Sequence, residues 1–171
     1  VDSLVFYANR AEKWLRDKKI KMHGPMKFLK KTIITYKPRG VVAVITPWNG
    51  PFILSINPVI QAILCGNSVV VKPSEVTPMS GALVQEIFAL ADAPMHLVQT
   101  LIGDGETGAE LINQGPDKVS FTGSVATGKK IASKCGEMLI PFSLELGGKD
   151  AMIVCSDADI KDAASGAVMG S

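Results

Sequence analysis

A chain of 171 residues, 47% of them hydrophobic and 20% charged, is long enough to bury one core and has an ordinary globular composition. No apolar run approaches the roughly 18 residues of a membrane span, and Val1-Asp2-Ser3 does not begin a signal peptide. Cys65, Cys135 and Cys155 are too widely spaced for a disulfide framework or a zinc site. A cytoplasmic protein with no membrane partner and no metal is therefore expected, and Val1 and the periodic stretch ending at Ser171 read as cut ends.

The net charge of +2 is unevenly spread: residues 1–40 hold 11 Lys and Arg against 3 acids, the remainder 7 against 13. Leu4, Val5, Ala8, Ala11, Trp14 and Leu15 recur at steps of three and four, which predicts an amphipathic helix over 2–18. Residues 19–37 read as a hairpin, with a turn at Met22-His-Gly-Pro-Met26 and an alternating strand from Lys27 to Lys37. The lysines fall on the polar sides of these elements, which favours a solvated face over a nucleic-acid surface. An exposed hairpin of this kind often pairs with another subunit.

From Gly40 short β-rich apolar runs alternate with helical stretches. Strands are predicted at 41–46, 68–72, 96–102, 119–122 and 142–146, with another at 151–155; helices are predicted near 55–65, 78–91, 106–114, 124–136 and 158–168. Runs such as Val41-Val-Ala-Val-Ile45 are apolar on both faces, as strands between two helical layers must be. The succession implies an α/β fold with a parallel sheet and helices on both faces, whose ligands sit beyond the carboxyl ends of the strands.

The loops at those ends are rich in small, polar and charged residues. Gly103-x-Gly105-x-x-Gly108 fits a dinucleotide fingerprint formally, but it lies in the wrong turn, and Thr122-Gly123 stands where an acid belongs. Gly123-x-x-x-x-Gly128-Lys129 lacks the hydroxyl residue of a P-loop, because Lys130 follows; what survives is a helix start at Ser124 able to hold a pyrophosphate. Lys72 and Glu75 read equally as a surface ion pair beside the next helix, started by a Ser74 cap or at Thr77-Pro78, and as a ribose site, where the acid would repel a 2′-phosphate and favour NAD over NADP. Asn49, held by Pro47-Trp48, can donate to an oxyanion or simply occupy a turn. Glu145 can be a partly buried base or a partner of Lys149.

In order, Thr46-Pro-Trp-Asn49, Lys72-Pro-Ser-Glu75, Phe121-Thr-Gly-Ser124 and Leu144-Glu-Leu-Gly-Gly-Lys149 resemble the signature series of the aldehyde dehydrogenase superfamily. The resemblance covers Gly40 to Lys149 and extends weakly to the N-terminal helix and hairpin. It implies a Rossmann-like dinucleotide-binding domain over 40–149, preceded by an oligomerisation-type hairpin within 1–39 and followed by 150–171, the start of a truncated segment leading to a catalytic domain. It further implies that Pro47 and Trp48 line the nicotinamide end, with Thr46 also among the cofactor-binding residues, that Asn49 donates to the oxyanion, and that Lys72, Ser74 and Glu75 hold the adenine ribose. Gly105 and Gly108 would border the adenine, and Phe121, Thr122 and Gly123 would lead to Ser124 at the pyrophosphate. Glu145 would be the general base, with Leu146 and Gly147 against the nicotinamide.

In such enzymes a cysteine thiolate attacks the aldehyde, hydride passes to NAD and the thioester is hydrolysed. The resemblance places that cysteine beyond Ser171, and Cys155 reads as a buried strand residue instead. The chain itself is then expected to bind NAD weakly without oxidising aldehydes, as part of a homo-oligomer, dimer or tetramer, when complete. The competing readings are a family member that forms acyl-CoA or acyl phosphate, and a non-catalytic nucleotide-binding or interaction module.

Overall fold

Helix α1 (Asp2–Leu15) packs through Leu4 against the main core, and its Tyr7 hydroxyl accepts a hydrogen bond of 3.1 Å from Gln61 Nε2. It ends three residues short of the predicted boundary. The computed structural model describes residues 2–170, without the side chains of Asp2, Ser3 and Met26, so the supposed cut ends Val1 and Ser171 lie outside the described residues.

The predicted hairpin forms, but its alternating strand is far shorter than 27–37. Strands β1 (Lys18–Ile20) and β2 (Thr32–Ile34) pair antiparallel, Lys18 opposite Ile34 and Ile20 opposite Thr32. Between them Gly24, at φ 72°, and Pro25 lead into a 3-10 turn, Pro25–Phe28. Proline pre-sets φ for a turn, and a two-stranded ribbon without a packed face keeps only its closest pairs.

Five strands, β3 (Val41–Ile45), β4 (Ser68–Lys72), β5 (Val98–Thr100), β6 (Lys118–Gly123) and β7 (Phe142–Leu146), form one parallel sheet in the order β5-β4-β3-β6-β7. One face carries α2 (Pro51–Leu64) and α3 (Pro78–Leu90); the other carries α4 (Gly105–Asn113) and α5 (Val125–Glu137). Pleating sends Val42 and Val44 into the first layer, with Ile56, Val59, Val69, Val71 and Val84. It sends Ala43 and Ile45 into the second, with Val119, Phe121, Ile131 and Cys135. Burial on both faces is why the β3 sequence is apolar without alternation.

Two expectations fail. Helix α2 starts at Pro51 rather than near 55, because Pro51 suits a first helical position, and it runs through Pro58. No strand forms over 151–155: Met152, Ile153 and Val154 are exposed, since no described strand offers them a ladder partner. Helix α6 (Ile160–Met169) follows, capped by the Asp159 side chain.

Candidate functional site

The chain builds β3, β4 and β5 outward in one direction, then returns through α4 to place β6 on the other side of β3. The loops leaving β3 and β6 therefore diverge, and at such a switch point a parallel sheet leaves a crevice at its carboxyl edge. Here the crevice is a cleft of about 760 Å³ between α4 and α5. Thr46, Pro47 and Trp48 enter it from β3; Lys72, Ser74 and Glu75 from β4; Phe121, Thr122, Gly123 and Ser124 from β6. Gly105 and Gly108 complete the α4 wall.

The loop after β3 is held from beneath. Thr46 is buried, its hydroxyl 2.8 Å from Ser55 Oγ, and Ser55 donates to the Pro51 carbonyl at 2.6 Å. The loop after β4 presents an asymmetric pair. The Lys72 side chain is 5% exposed and that of Glu75 58%, with Nζ to Oε2 at 3.2 Å. Glu75's own backbone N–H, and then the Lys72 ammonium, hold its carboxyl below the ordinary glutamate value. Of the two starts the sequence offers for α3, the structure takes Thr77-Pro78: Thr77 holds the N-cap position, and the Ser74 hydroxyl instead accepts from Val76 N at 3.2 Å.

Helix α5 begins as predicted. Ser124 is its N-cap and accepts from Thr127 N at 3.2 Å, which leaves the Val125 and Ala126 N–H groups of the first turn without intrahelical acceptors. On α4 the cap is Asp104, which accepts from Glu106 N at 3.0 Å and Thr107 N at 3.3 Å. Backbone donation from Thr107 and Glu106 lowers the Asp104 pKa.

The cleft suits a dinucleotide by its shape and donors. A Cβ on Gly105 would meet nothing within 4 Å, so a side chain there would project into open space, and one on Gly108 would lie 3.8 Å from Lys72 Cδ. A helix start able to take an anion and a half-exposed carboxylate able to accept from hydroxyls share one wall system.

The residues expected at the reacting end are placed differently. Asn49 is exposed just past Trp48 and does not line the cleft. Glu145, expected to be partly buried, is exposed; its β7 position pairs with Thr122, and it lines a trough on the opposite sheet face with Ser120, Thr122 and Ser143. In that trough Lys118 donates to Ser143 Oγ at 2.7 Å, and burial, then the nearby Arg39 charge, push its pKa down. Leu146 packs on α5, where a Gly128 Cβ would come within 3.0 Å of its Cδ1, and Gly147 is exposed. All four still stand at the carboxyl edge.

Sequence reasoning missed Ser55 and the α5 wall of Thr127, Lys130, Ile131 and Lys134, although their spacing of three and four is that of one helix face. Cys155, expected to be buried, is exposed. Cys65 is also exposed, just ahead of β4 at the sheet's amino edge, and Cys135 is buried in α5, where desolvation pushes its thiol pKa up. Among the described residues no cluster of His, Cys, Asp and Glu could hold a metal.

The chain matches a sequence model of the aldehyde dehydrogenase family over residues 1–171. It is 47% identical over 171 residues to a 4,4'-diapolycopene aldehyde oxidase of Methylomonas sp, covering 99% of this chain and 32% of that protein. A relative from Mycolicibacterium smegmatis, named for succinate-semialdehyde and NADP(+), is 42% identical over 162 residues, 95% of this chain and 31% of its own length. Among solved structures, the NAD+ complex of a Bacillus cereus aldehyde dehydrogenase superposes with a TM-score of 0.88 at 35% identity, covering 96% of this chain and 33% of that one. The chain thus spans about a third of the length of the relatives it matches.

Proposed function

This chain belongs to the aldehyde dehydrogenase family, and we propose that the protein carrying it oxidises an aldehyde to a carboxylic acid with NAD. The observation that carries the reading is the single switch-point cleft on which the loops after β3, β4 and β6 converge. NAD, when bound, supplies the hydride acceptor. Glu75 accepts from the ribose hydroxyls with Lys72 and Ser74 beside it, and its charge opposes a 2′-phosphate, so NAD is favoured over NADP. The first turn of α5 takes the pyrophosphate, with Phe121, Thr122 and Gly123 leading to it. Gly105 and Gly108 leave room for the adenine, and Thr46, Pro47 and Trp48 flank the nicotinamide end with Leu146 and Gly147.

At the same sheet edge Asn49 donates to the developing oxyanion and Glu145 accepts a proton as general base. A base at Glu145 fits release of a free acid better than transfer to coenzyme A or phosphate. The nucleophile is a cysteine outside these 171 residues. Cys65 lies at the far end of the sheet, Cys135 is buried with a raised pKa, and Cys155 stands in the irregular segment before α6. Residues 40–149 act as the dinucleotide-binding unit, residues 1–39 carry the hairpin through which copies associate, and 150–171 lead towards the catalytic part. The complete protein is a cytoplasmic homo-oligomer with no nucleic-acid partner.

Calorimetric titration with NAD and NADP tests the cofactor assignment. NAD is expected to bind more tightly, and a chain that binds neither, or prefers NADP, overturns it. Steady NADH formation from an aldehyde by the 171-residue chain would contradict a nucleophile outside it.

A further inference from the structure

Two lysines follow Gly128, and the structure separates them: Lys130 lines the cleft, while Lys129, one residue earlier on α5, does not. In a P-loop the lysine next to the glycine reaches the phosphates. Here the turn of the helix carries that position out of the cleft and brings the next one in. Lys130 shares its face with Thr127, Ile131 and Lys134, and the Ser124 cap stands at the head of the same face. The other lysines of the cleft are committed. Lys72 Nζ lies 3.2 Å from Glu75, and Lys134 Nζ lies 3.9 Å from Glu137. Among the described residues Lys130 enters no ion pair, although Glu106 of α4 lines the same cleft.

We propose that Lys130 is a phosphate-binding residue of this cleft, its ammonium meeting the diphosphate of the dinucleotide on the adenosine side. The inference rests on the reading of the cleft as an NAD site and adds a residue to it. Side chains on a helix lean towards its N-terminus. Lys130 lies roughly 7 Å along the axis from the Val125 and Ala126 N–H groups, and its flexible four-carbon stem leans back across that interval. Charge gives the reason for a cation there. A dinucleotide carries a negative charge on each of its two phosphates, whereas a helix start offers the equivalent of only about half a positive charge. Glu75 keeps a further phosphate off the ribose, and a neutral base calls for no cation, so the diphosphate is the anion that Lys130 serves.

Calorimetric titration of the chain with NAD and with ADP tests this in wild type, K130M, K130R and K129M. K130M keeps most of the stem and loses the charge; it should bind both ligands about tenfold more weakly, one charge-assisted hydrogen bond, and with a flatter dependence on added salt. K130R keeps the charge and K129M changes a residue outside the cleft, so both should bind NAD within about twofold of wild type. Without ligand all four should unfold at the same temperature, because Lys130 is exposed. The inference is overturned by a K130M that binds like wild type, by a K129M that weakens NAD as much, or by a K130R no better than K130M, which would make the contact one of packing. A loss confined to NAD and absent with ADP would put the lysine at the nicotinamide end and overturn it too. Wild-type chain that binds neither ligand removes the cleft reading itself, and Lys130 with it; NAD binding indifferent to Lys130 removes Lys130 alone.

Discussion

At the scale of single residues, the Lys72–Glu75 pair shows how burial divides labour. The lysine is out of water and must keep a partner; the carboxylate is half exposed and can serve a ligand as well. Glu75→Gln is expected to weaken NAD about tenfold, the loss of roughly one charge-assisted hydrogen bond, and to narrow its advantage over NADP in calorimetry. Because Glu75 is so exposed, stability should fall by no more than about 1 kcal/mol. Its folded pKa lies below the ordinary value of 4.5. The pairing contribution is therefore complete above that value and is lost only as pH falls through the lower folded value, so NAD affinity measured from neutral pH down to 4.5 should not decline through this group. The cysteines give a second check: in the native chain iodoacetamide should modify Cys65 and Cys155 rapidly and Cys135 only on unfolding, which peptide mass spectrometry resolves. A native Cys135 that reacts as fast as the others would mean that α5 does not pack as described.

Among the elements, caps and close approaches position the site. Ser124→Ala removes the acceptor for Thr127 N and should cost about 1 kcal/mol, or roughly 2–4 °C in the unfolding midpoint. Ser124→Asp keeps a cap but sets a negative charge where a pyrophosphate would lie, so stability should be retained and NAD binding lost; retained NAD binding would remove the anion from that helix start. Gly81, in α3, faces the buried ring of Pro73, and a Cβ there would stand 2.6 Å from Pro73 Cβ. Alanine would gain up to about 1 kcal/mol of helix propensity but overpack a rigid ring at a cost of about 1–3 kcal/mol. The clash should win and lower the thermal midpoint; an unchanged midpoint would mean that α3 shifts freely against the β4 loop. These elements were visible in the sequence to differing degrees. The β3, β4, β6 and β7 strands and helices α3 to α5 follow from doubly apolar runs, period-3.6 faces and turn residues. The 151–155 segment carries the same apolar signal, yet a strand is a pairing, and no described neighbour pairs with it.

For the whole molecule, what matters is the reversal of direction between β3 and β6, which opens one cleft on one side of the sheet and leaves a trough on the other. If that cleft holds NAD, saturating dinucleotide should raise the unfolding temperature of the chain by mass action while aldehyde produces no turnover. A chain whose midpoint ignores NAD would weaken the reading at its base. The order of loop motifs along the sequence already determined the fold class, the sheet edge that carries the chemistry and most of the cleft-lining residues, because period, turn chemistry and family resemblance are properties of the chain read in order. Only the tertiary structure decided that Glu145 and Asn49 stand exposed outside the cleft and that Ser55 supports the loop after β3. Those facts depend on which strands become neighbours and where pairing stops, and such long-range choices are not encoded in any local spacing.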